Sequence, residues 1–375
     1  MSQLDAICMN LNKKFGKDLA QKGVLFEELP RIPFTSARLN YMTHGGLPRG
    51  YLAEFYGEEH GGKTTTALDL LGQAQKIFKK EWEEEMAKLQ AIANPNKEQK
   101  QKYAQLQSTG PKKCVILDVE TSLDVEWAQK LGVDTDELYL FRPEDQSAED
   151  ILQIGLDMCA TGEVGFLLLD SVGSLYSEQQ QEKTLQEKTY CGIAGPLTTF
   201  SKKITRYASA YNMIVIGINQ VREDINAQYV KATTPGGKAW RHQCAFRLQF
   251  SQGKFLDEKG AELTNTCEAP SGNKVMVHIQ KSKKFPRDRK EGFYTLNYKI
   301  GVHQIADLVE VCLLEGVIAR RGAYYYIMDS DLESVMKDED GNDLQFQGKS
   351  QLYSFIEDEQ VILNYLNECL ANVYK

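Results

Sequence analysis

Three features of the sequence predict an α/β protein built on a largely parallel central sheet. Short apolar runs recur at Tyr51–Tyr56, Cys114–Asp118, Leu138–Arg142, Gly165–Asp170 and Met213–Asn219, with helix-forming stretches between them. Strands that alternate with helices need crossover connections, and crossovers make parallel sheets. A glycine-rich loop follows the first run and opens the next helix. Beyond about residue 300 the pattern changes: Val302–Gly316 reads as a helix, Ala323–Met328 as an aromatic strand and Leu352–Ala371 as a helical region. That change predicts a small C-terminal α/β domain.

The 375 residues exceed one core of ordinary size, so more than one unit is expected. The division predicted is 1–33, 34–300 and 301–375. In the first unit Leu4, Ile7, Cys8, Leu11, Phe15 and Leu19 recur at helical spacing. They predict an amphipathic helix over 3–22 that packs on its own core or on a neighbouring subunit. Leu47-Pro48-Arg49-Gly50 reads as a turn before the first buried strand. After the glycine loop, Thr65–Phe78 is a helix. The stretch 76–113 differs in character, with nine Lys, five Glu and a breaker at Asn94-Pro95-Asn96. It reads as an inserted helical hairpin, either a solvated arm or one that docks a partner or DNA.

Composition excludes several classes. Hydrophobic residues at 42% and charged residues at 26% are ordinary for a soluble globular protein. No apolar run is long enough to span a bilayer, and the N-terminus lacks the basic head and apolar stretch of a signal peptide. The eight cysteines form no C-x-x-C pair, which argues for reduced thiols in a cytoplasmic setting rather than zinc ribbons or disulfides. A net charge of −8 does not advertise a nucleic-acid binder, but a binding surface needs only a local basic stripe.

The most specific motif is Gly57-Glu58-Glu59-His60-Gly61-Gly62-Lys63-Thr64, which fits G-x-x-x-x-G-K-[ST] between a strand and a helix. Its glycines let backbone N–H groups wrap phosphate oxygens, and the helix N-terminus adds a favourable dipole. Lys63 is placed to meet the β/γ phosphates of ATP, and the Thr64 hydroxyl to ligate Mg²⁺. Thr65 follows in the same turn. The run Gly165–Leu169 ends in Asp170, which a buried strand would deliver to the metal at the sheet's carboxyl edge.

Hydrolysis needs a carboxylate to position or deprotonate water. Leu117-Asp118-Val119-Glu120 ends another buried strand, and Glu120 is the best candidate. Asp118 faces the other side by period-two alternation, and a structural acceptor role is as good a reading of it as a functional one. Glu59, inside the loop, is a poorer base.

These residues stand in a series: Gly57–Thr65, then Leu117–Asp124 (L-D-V-E-T-S-L-D), Leu167–Val172 (L-L-L-D-S-V), Ile218–Arg222 (I-N-Q-V-R) and Thr233–Ala239 (T-T-P-G-G-K-A). The series resembles the bacterial RecA family and its phage-encoded relatives, over about residues 11 to 370. Gly45–Gly50, Leu131–Asp134 and Gly322–Tyr325 also match. The resemblance implies a P-loop NTPase core of RecA type and an ATP-dependent strand-exchange recombinase. Such a protein forms helical filaments on single-stranded DNA and pairs them with double-stranded DNA, with single-strand-binding and mediator proteins as accessory partners. It implies that Glu120 is the catalytic glutamate, that Asp124 and Trp127 contact adenine, and that Gln220 senses the γ-phosphate. A core amide that satisfies backbone groups is the alternative reading of Gln220.

By the same resemblance the DNA loops fall at about Gln181–Pro196 and Arg222–Arg241. Tyr190, Gly192, Lys202 and Lys203 go with the first loop. Arg222, Gly236, Gly237, Lys238 and Arg241 go with the second, where Lys231 adds charge and the glycine pair admits close phosphate approach. Cys191, Gly192 and Pro235 depart from the usual residue order. The densest basic stretch is Lys281–Lys290. Lys281 and Lys283 match lysines that reach ATP on the neighbouring subunit in the family, while Lys284, Arg287, Arg289 and Lys290 could form a DNA-backbone patch. The chain ends without the family's acidic tail, so removal of the last few residues is expected to change little. The alternatives are a ring-forming helicase of the same core and an ATP-gated DNA-coating protein without exchange activity. Asp338–Asp343 has a calcium-loop look but lacks the closing Glu, and reads as a surface turn.

Overall fold

A computed structural model describes residues 2–15, 29–181, 192–224, 231–258, 260–263 and 269–374. The chain divides into two units, 1–30 and 31–375. In the first, helix α1 (Gln3–Phe15) is opened by a reciprocal cap, with Asp5 N donating to Ser2 Oγ and Ser2 N to Asp5 Oδ2. It buries no residue and exposes Leu4, Ile7, Met9, Leu11 and Phe15. The predicted continuation to residue 22 lies outside the described residues.

The second unit is organised by a nine-stranded sheet. In chain order its strands are β1 (Tyr51–Gly57), β2 (Lys113–Asp118), β3 (Leu138–Phe141), β4 (Val164–Asp170), β5 (Ile214–Gln220), β6 (Phe246–Leu256), β7 (Gly272–Ser282), β8 (Glu291–Asn297) and β9 (Gly301–Val302). The spatial order is β9-β8-β7-β6-β1-β5-β4-β2-β3. From β6 to β3 every pairing is parallel; from β6 through β9 every pairing is antiparallel. The parallel half is the predicted one. Its central strands are buried on both faces, which is why they read as unbroken apolar runs. The antiparallel half escapes the sequence pattern because β6 and β7 alternate buried and exposed residues and carry lysines and glutamines.

Helices cover both faces. Helix α2 (Ala37–Met42) and α3 (Lys63–Gln90) pack with Phe55, Phe166, Phe246 and Phe250 in one core layer. Helices α5 (Val125–Lys130) and α6 (Ala148–Ala160) follow β2 and β3; α6 and α7 (Ala194–Tyr211) pack with Leu167, Val215 and Trp240 in the other layer. Each such apolar side chain stabilises the fold by about 1.5–3 kcal/mol on burial.

The insert departs from expectation at its start. Instead of a helix ending at Phe78 and a separate hairpin, α3 runs unbroken to Gln90. The reason lies in its faces: buried residues stop at Phe78, so the last turns leave the sheet as an arm of good helix formers. The Asn94-Pro95-Asn96 breaker turns the chain, Asn96 and Gln99 form a capping box, and α4 (Lys97–Thr109) returns along the arm. Trp82 Nε1 donates to Leu106 O at 2.8 Å, and Lys102 pairs with Glu85 at 2.5 Å.

After β9, α9 (Gln304–Leu314), a three-stranded sheet of β10 (Ile318–Arg321), β11 (Tyr324–Ile327) and β12 (Gln345–Gln347), and helices α10 (Gly348–Asp358) and α11 (Gln360–Ala371) enclose a separate apolar cluster. The expected helical region at 352–371 is made of these two helices. The chain's end differs from the expectation that it is dispensable: Val373 O accepts from Arg289 Nη1 at 3.0 Å, and Val373 and Tyr374 pack on this cluster.

Candidate active site

The phosphate loop joins β1 to α3, and its geometry explains its glycines. A Cβ on Gly57, whose φ is 154°, would fall 1.9 Å from Phe250 O on the neighbouring strand. Gly62, at φ 88°, is the left-handed residue that starts α3, and its Cβ would meet Val275 at 2.8 Å. Neither place admits a side chain. Lys63, buried in the first turn, curls back so that Nζ donates to Gly57 O at 3.1 Å and Glu58 O at 2.5 Å. Burial lowers its pKa, opposed by the negative field of Asp170, Glu120, Glu59 and Glu58.

Asp170 ends β4 beside the loop, and Thr64 Oγ1 donates to its Oδ2 at 3.0 Å. Burial pushes the Asp170 carboxyl up to about 7; the Thr64 hydroxyl works against this, while Glu120 and Asp118 add to it. This pair is an oxygen-only donor set of hydroxyl and carboxyl beside the phosphate loop, which fits Mg²⁺.

Glu120 lies just beyond β2. Its Oε1 accepts from Ser171 Oγ at 2.5 Å and from Ser174 Oγ at 2.7 Å. Asp118 is a structural acceptor: buried, it takes Ser122 N, Leu123 N and Arg142 Nε at 3.1, 3.3 and 3.1 Å. Asp124 caps α5 through a bond from Trp127 N, and Trp127 Nε1 donates to Thr65 Oγ1 at 3.3 Å. A cleft opens there, lined by His60–Thr65, Trp127, Gln252, Asn273, Leu296 and Tyr298. Tyr298 donates to Asn273 Oδ1 at 2.9 Å. Gln252, Asn273 and Tyr298 were missed in the sequence because the antiparallel strands bring them back from far along the chain.

Gln220 is the last residue of β5 and stands in register with Gly57, at the start of the phosphate loop. The hairpin Arg222–Asp224 with Lys231–Thr233 follows directly. Arg222 Nη2 donates to Gly173 O at 3.3 Å. Gly236 and Gly237 take positive φ at the start of α8 (Gly237–Gln243); Lys238 is exposed, and Arg241 is tied to Gly237 O and Thr233 Oγ1. Lys202 and Lys203 are exposed on α7, Gly192 lies just before it, and Tyr190 lies outside the described residues.

Lys281 Nζ donates to Arg241 O and His242 O at 2.8 and 3.0 Å, and Lys283 Nζ to His242 O at 3.3 Å. Both ammoniums therefore sit on carbonyls at the end of α8, where the helix dipole favours them. Burial, then the charge of Lys283, lowers the Lys281 pKa. The rest of the basic stretch is less available for DNA than expected. Arg287 donates to Ile279 O, and Arg289 stacks 3.9 Å over Tyr41 and holds Tyr41 O and Val373 O.

A family profile for the RecA N-terminal domain matches residues 99–302. Protein RecA of Aquifex aeolicus is 26% identical over 97% of this chain and 90% of its own length. Protein RecA of Mycoplasma mobile is 27% identical over 96% and 93%, and that of Thermus aquaticus 29% over 86% and 83%. Phosphate loop, carboxylate, acidic strand end and trailing basic loop follow one another here along one sheet edge, and the similarity to these relatives runs over most of the chain; the chain belongs to the RecA family of ATP-dependent DNA recombinases.

Proposed function

We propose that this chain hydrolyses ATP with Glu120 as the base, in a filament on single-stranded DNA, with each nucleotide held between two protomers. The observation that carries this reading is the convergence of Lys63, Thr64, Asp170 and Glu120 at the carboxyl ends of β1, β2 and β4, beside Gln220, whose strand leads straight into the basic hairpin. Lys63 would leave its loop carbonyls for the phosphate oxygens. Thr64 and Asp170 would hold Mg²⁺, which supplies charge neutralisation on those oxygens. The Glu120 carboxylate would orient water for in-line attack, and the Gln220 amide would meet the γ-phosphate.

Trp127 offers its indole face to the adenine, and Tyr298 across the cleft offers a second ring. On the DNA side Arg222, Lys238, Lys202 and Lys203 would meet phosphates, with the backbone at Gly236-Gly237 close to the strand. Lys281 and Lys283 would supply positive charge to the neighbour's nucleotide, so that hydrolysis depends on assembly. The exposed apolar stripe of α1 suits it as the link between protomers. The segment from about residue 301 would act as the smaller C-terminal domain. The decisive experiment measures ATP turnover with and without single-stranded DNA and images the same samples by electron microscopy. DNA-stimulated turnover with extended helical filaments is expected; closed rings, or turnover indifferent to DNA, would refute the reading.

A further inference from the structure

We propose that Ser174 is a positioning residue for hydrolysis, and that the turn Val172–Ser174 carries the state of the second DNA loop to Glu120; this rests on the reading of Glu120 as the base. The turn is a single 3₁₀ turn that directly follows β4. Its flanking and closing hydroxyls, Ser171 Oγ and Ser174 Oγ, both donate to one oxygen of Glu120 and lie 2.9 Å from each other. A carboxylate has two oxygens, and this arrangement occupies Oε1 with two donors. Oε2 is then the oxygen aimed at water, at an angle set by the serines. Glu120 is otherwise an exposed side chain with free rotamers, so these two bonds fix its direction.

The other side of the turn belongs to the second loop. Gly173 O accepts from Arg222 Nη2 at the loop's start. A Cβ on Gly173 would lie 3.8 Å from Pro235 Cγ, further along the loop, and 3.6 Å from Asn219 Oδ1. Asn219 Nδ2 in turn donates to Pro235 O at 3.0 Å. Val172 is fully buried against Gly217 of β5, so the turn is hinged on a rigid floor. The loop's first residue therefore holds Gly173 O, Pro235 further along it is tied to Asn219 at the edge of the turn, and Gly173's chain neighbour Ser174 holds the base. A loop rearrangement that takes Arg222 to a phosphate releases Gly173 O and resets the serine that aims Glu120.

The full-length chain tests this with Ser174→Ala, Ser174→Thr and Glu120→Gln, assayed for kcat and KM with and without a single-stranded oligonucleotide. Ser174→Ala should lower DNA-stimulated kcat by about tenfold while KM for ATP stays within about twofold, because only orientation is lost. Ser174→Thr, which keeps the hydroxyl, should restore most of it. If Glu120→Gln is inactive yet Ser174→Ala turns over like wild type, the positioning role is wrong and the base assignment stands. If Glu120→Gln is fully active, the base assignment itself is wrong. Loss of ATP binding in Ser174→Ala, in step with kcat, would reduce Ser174 to a structural part and overturn the proposal. For the relay, hydrogen exchange of the 171–175 amides in the presence of a non-hydrolysable ATP analogue should change when oligonucleotide is added; unchanged exchange would refute it.

Discussion

Glu54 and Arg247 form an ion pair of 2.5 Å in the interior of the sheet, with Glu54 wholly buried. Glu54 lies on β1 three residues before the phosphate loop, and its other oxygen accepts from Asn219 Nδ2 and Trp240 Nε1 at 2.8 and 3.0 Å. One carboxylate thus joins the ATP strand, the strand that ends at Gln220, the helix α8 and β6. Removing it leaves a guanidinium and two polar N–H groups without their partner. Glu54→Leu should destabilise the protein by about 3–5 kcal/mol in urea denaturation. Glu54→Leu with Arg247→Met should recover part of that loss, since the uncompensated charge is gone while one Asn219 N–H and the Trp240 N–H lose their acceptor.

The same residue marks how far the sequence can be read. Tyr51–Tyr56 was legible as a buried strand because of its apolar run, but nothing in the run told what its glutamate meets. Its partner Arg247 lies nearly two hundred residues on, and no local period connects them. The phosphate loop, Asp170 and Glu120 were legible because each sits at a strand end next to a local motif. Ser174, Tyr298 and Asn273 were not, because their roles arise only when β4 and the antiparallel strands are laid beside β1. The basic stretch after Lys281 was legible as charge; that Arg289 is spent on Tyr41 and the chain's end is a tertiary fact.

Asp307 gives a pH prediction. It is wholly buried on α9, accepts from Thr295 N at 2.9 Å, and has its Oδ2 without a hydrogen-bond partner among the described residues. Burial raises its carboxyl from 3.8 to about 7, and that of Asp69 to about 6. The folded state therefore binds more protons than the unfolded state between these values, and stability falls as pH rises through that window. The contribution is fully present below pH about 4 and lost as pH passes about 7. Compared with Asp307→Asn, the wild type should lose stability between these limits, read as a falling difference in urea midpoints. A difference that grows with pH would contradict the buried neutral acid.

Trp127 is half-buried at the mouth of the nucleotide cleft, held by Thr65 through its indole N–H. Trp127→Ala should weaken nucleotide binding by about 1–3 kcal/mol if the indole stacks on the base. Trp127→Phe should retain most of the affinity, since a ring face remains. Because the other tryptophans, Trp82 and Trp240, lie on the arm and in the core, nucleotide-dependent fluorescence quenching should vanish in Trp127→Phe. Unchanged affinity in Trp127→Ala would place the adenine elsewhere.

Lys281 permits a test of catalysis across the protomer boundary. Within its own protomer its Nζ donates to the carbonyls of Arg241 and His242, and among the described residues no hydrogen bond ties it to the phosphate loop. Lys281→Ala should therefore keep ATP binding and lose DNA-stimulated turnover, whereas Lys63→Ala should lose both. In an equal mixture of the two variants, some sites combine an intact phosphate loop from one protomer with an intact Lys281 from its neighbour. Random assembly should make about one quarter of the sites whole, and turnover should recover toward that fraction. Recovery should depend on total protein concentration, because it needs adjacent protomers. A mixture as inactive as its parts, with filaments still formed, would mean that Lys281 serves its own protomer and that the nucleotide is completed without the neighbour.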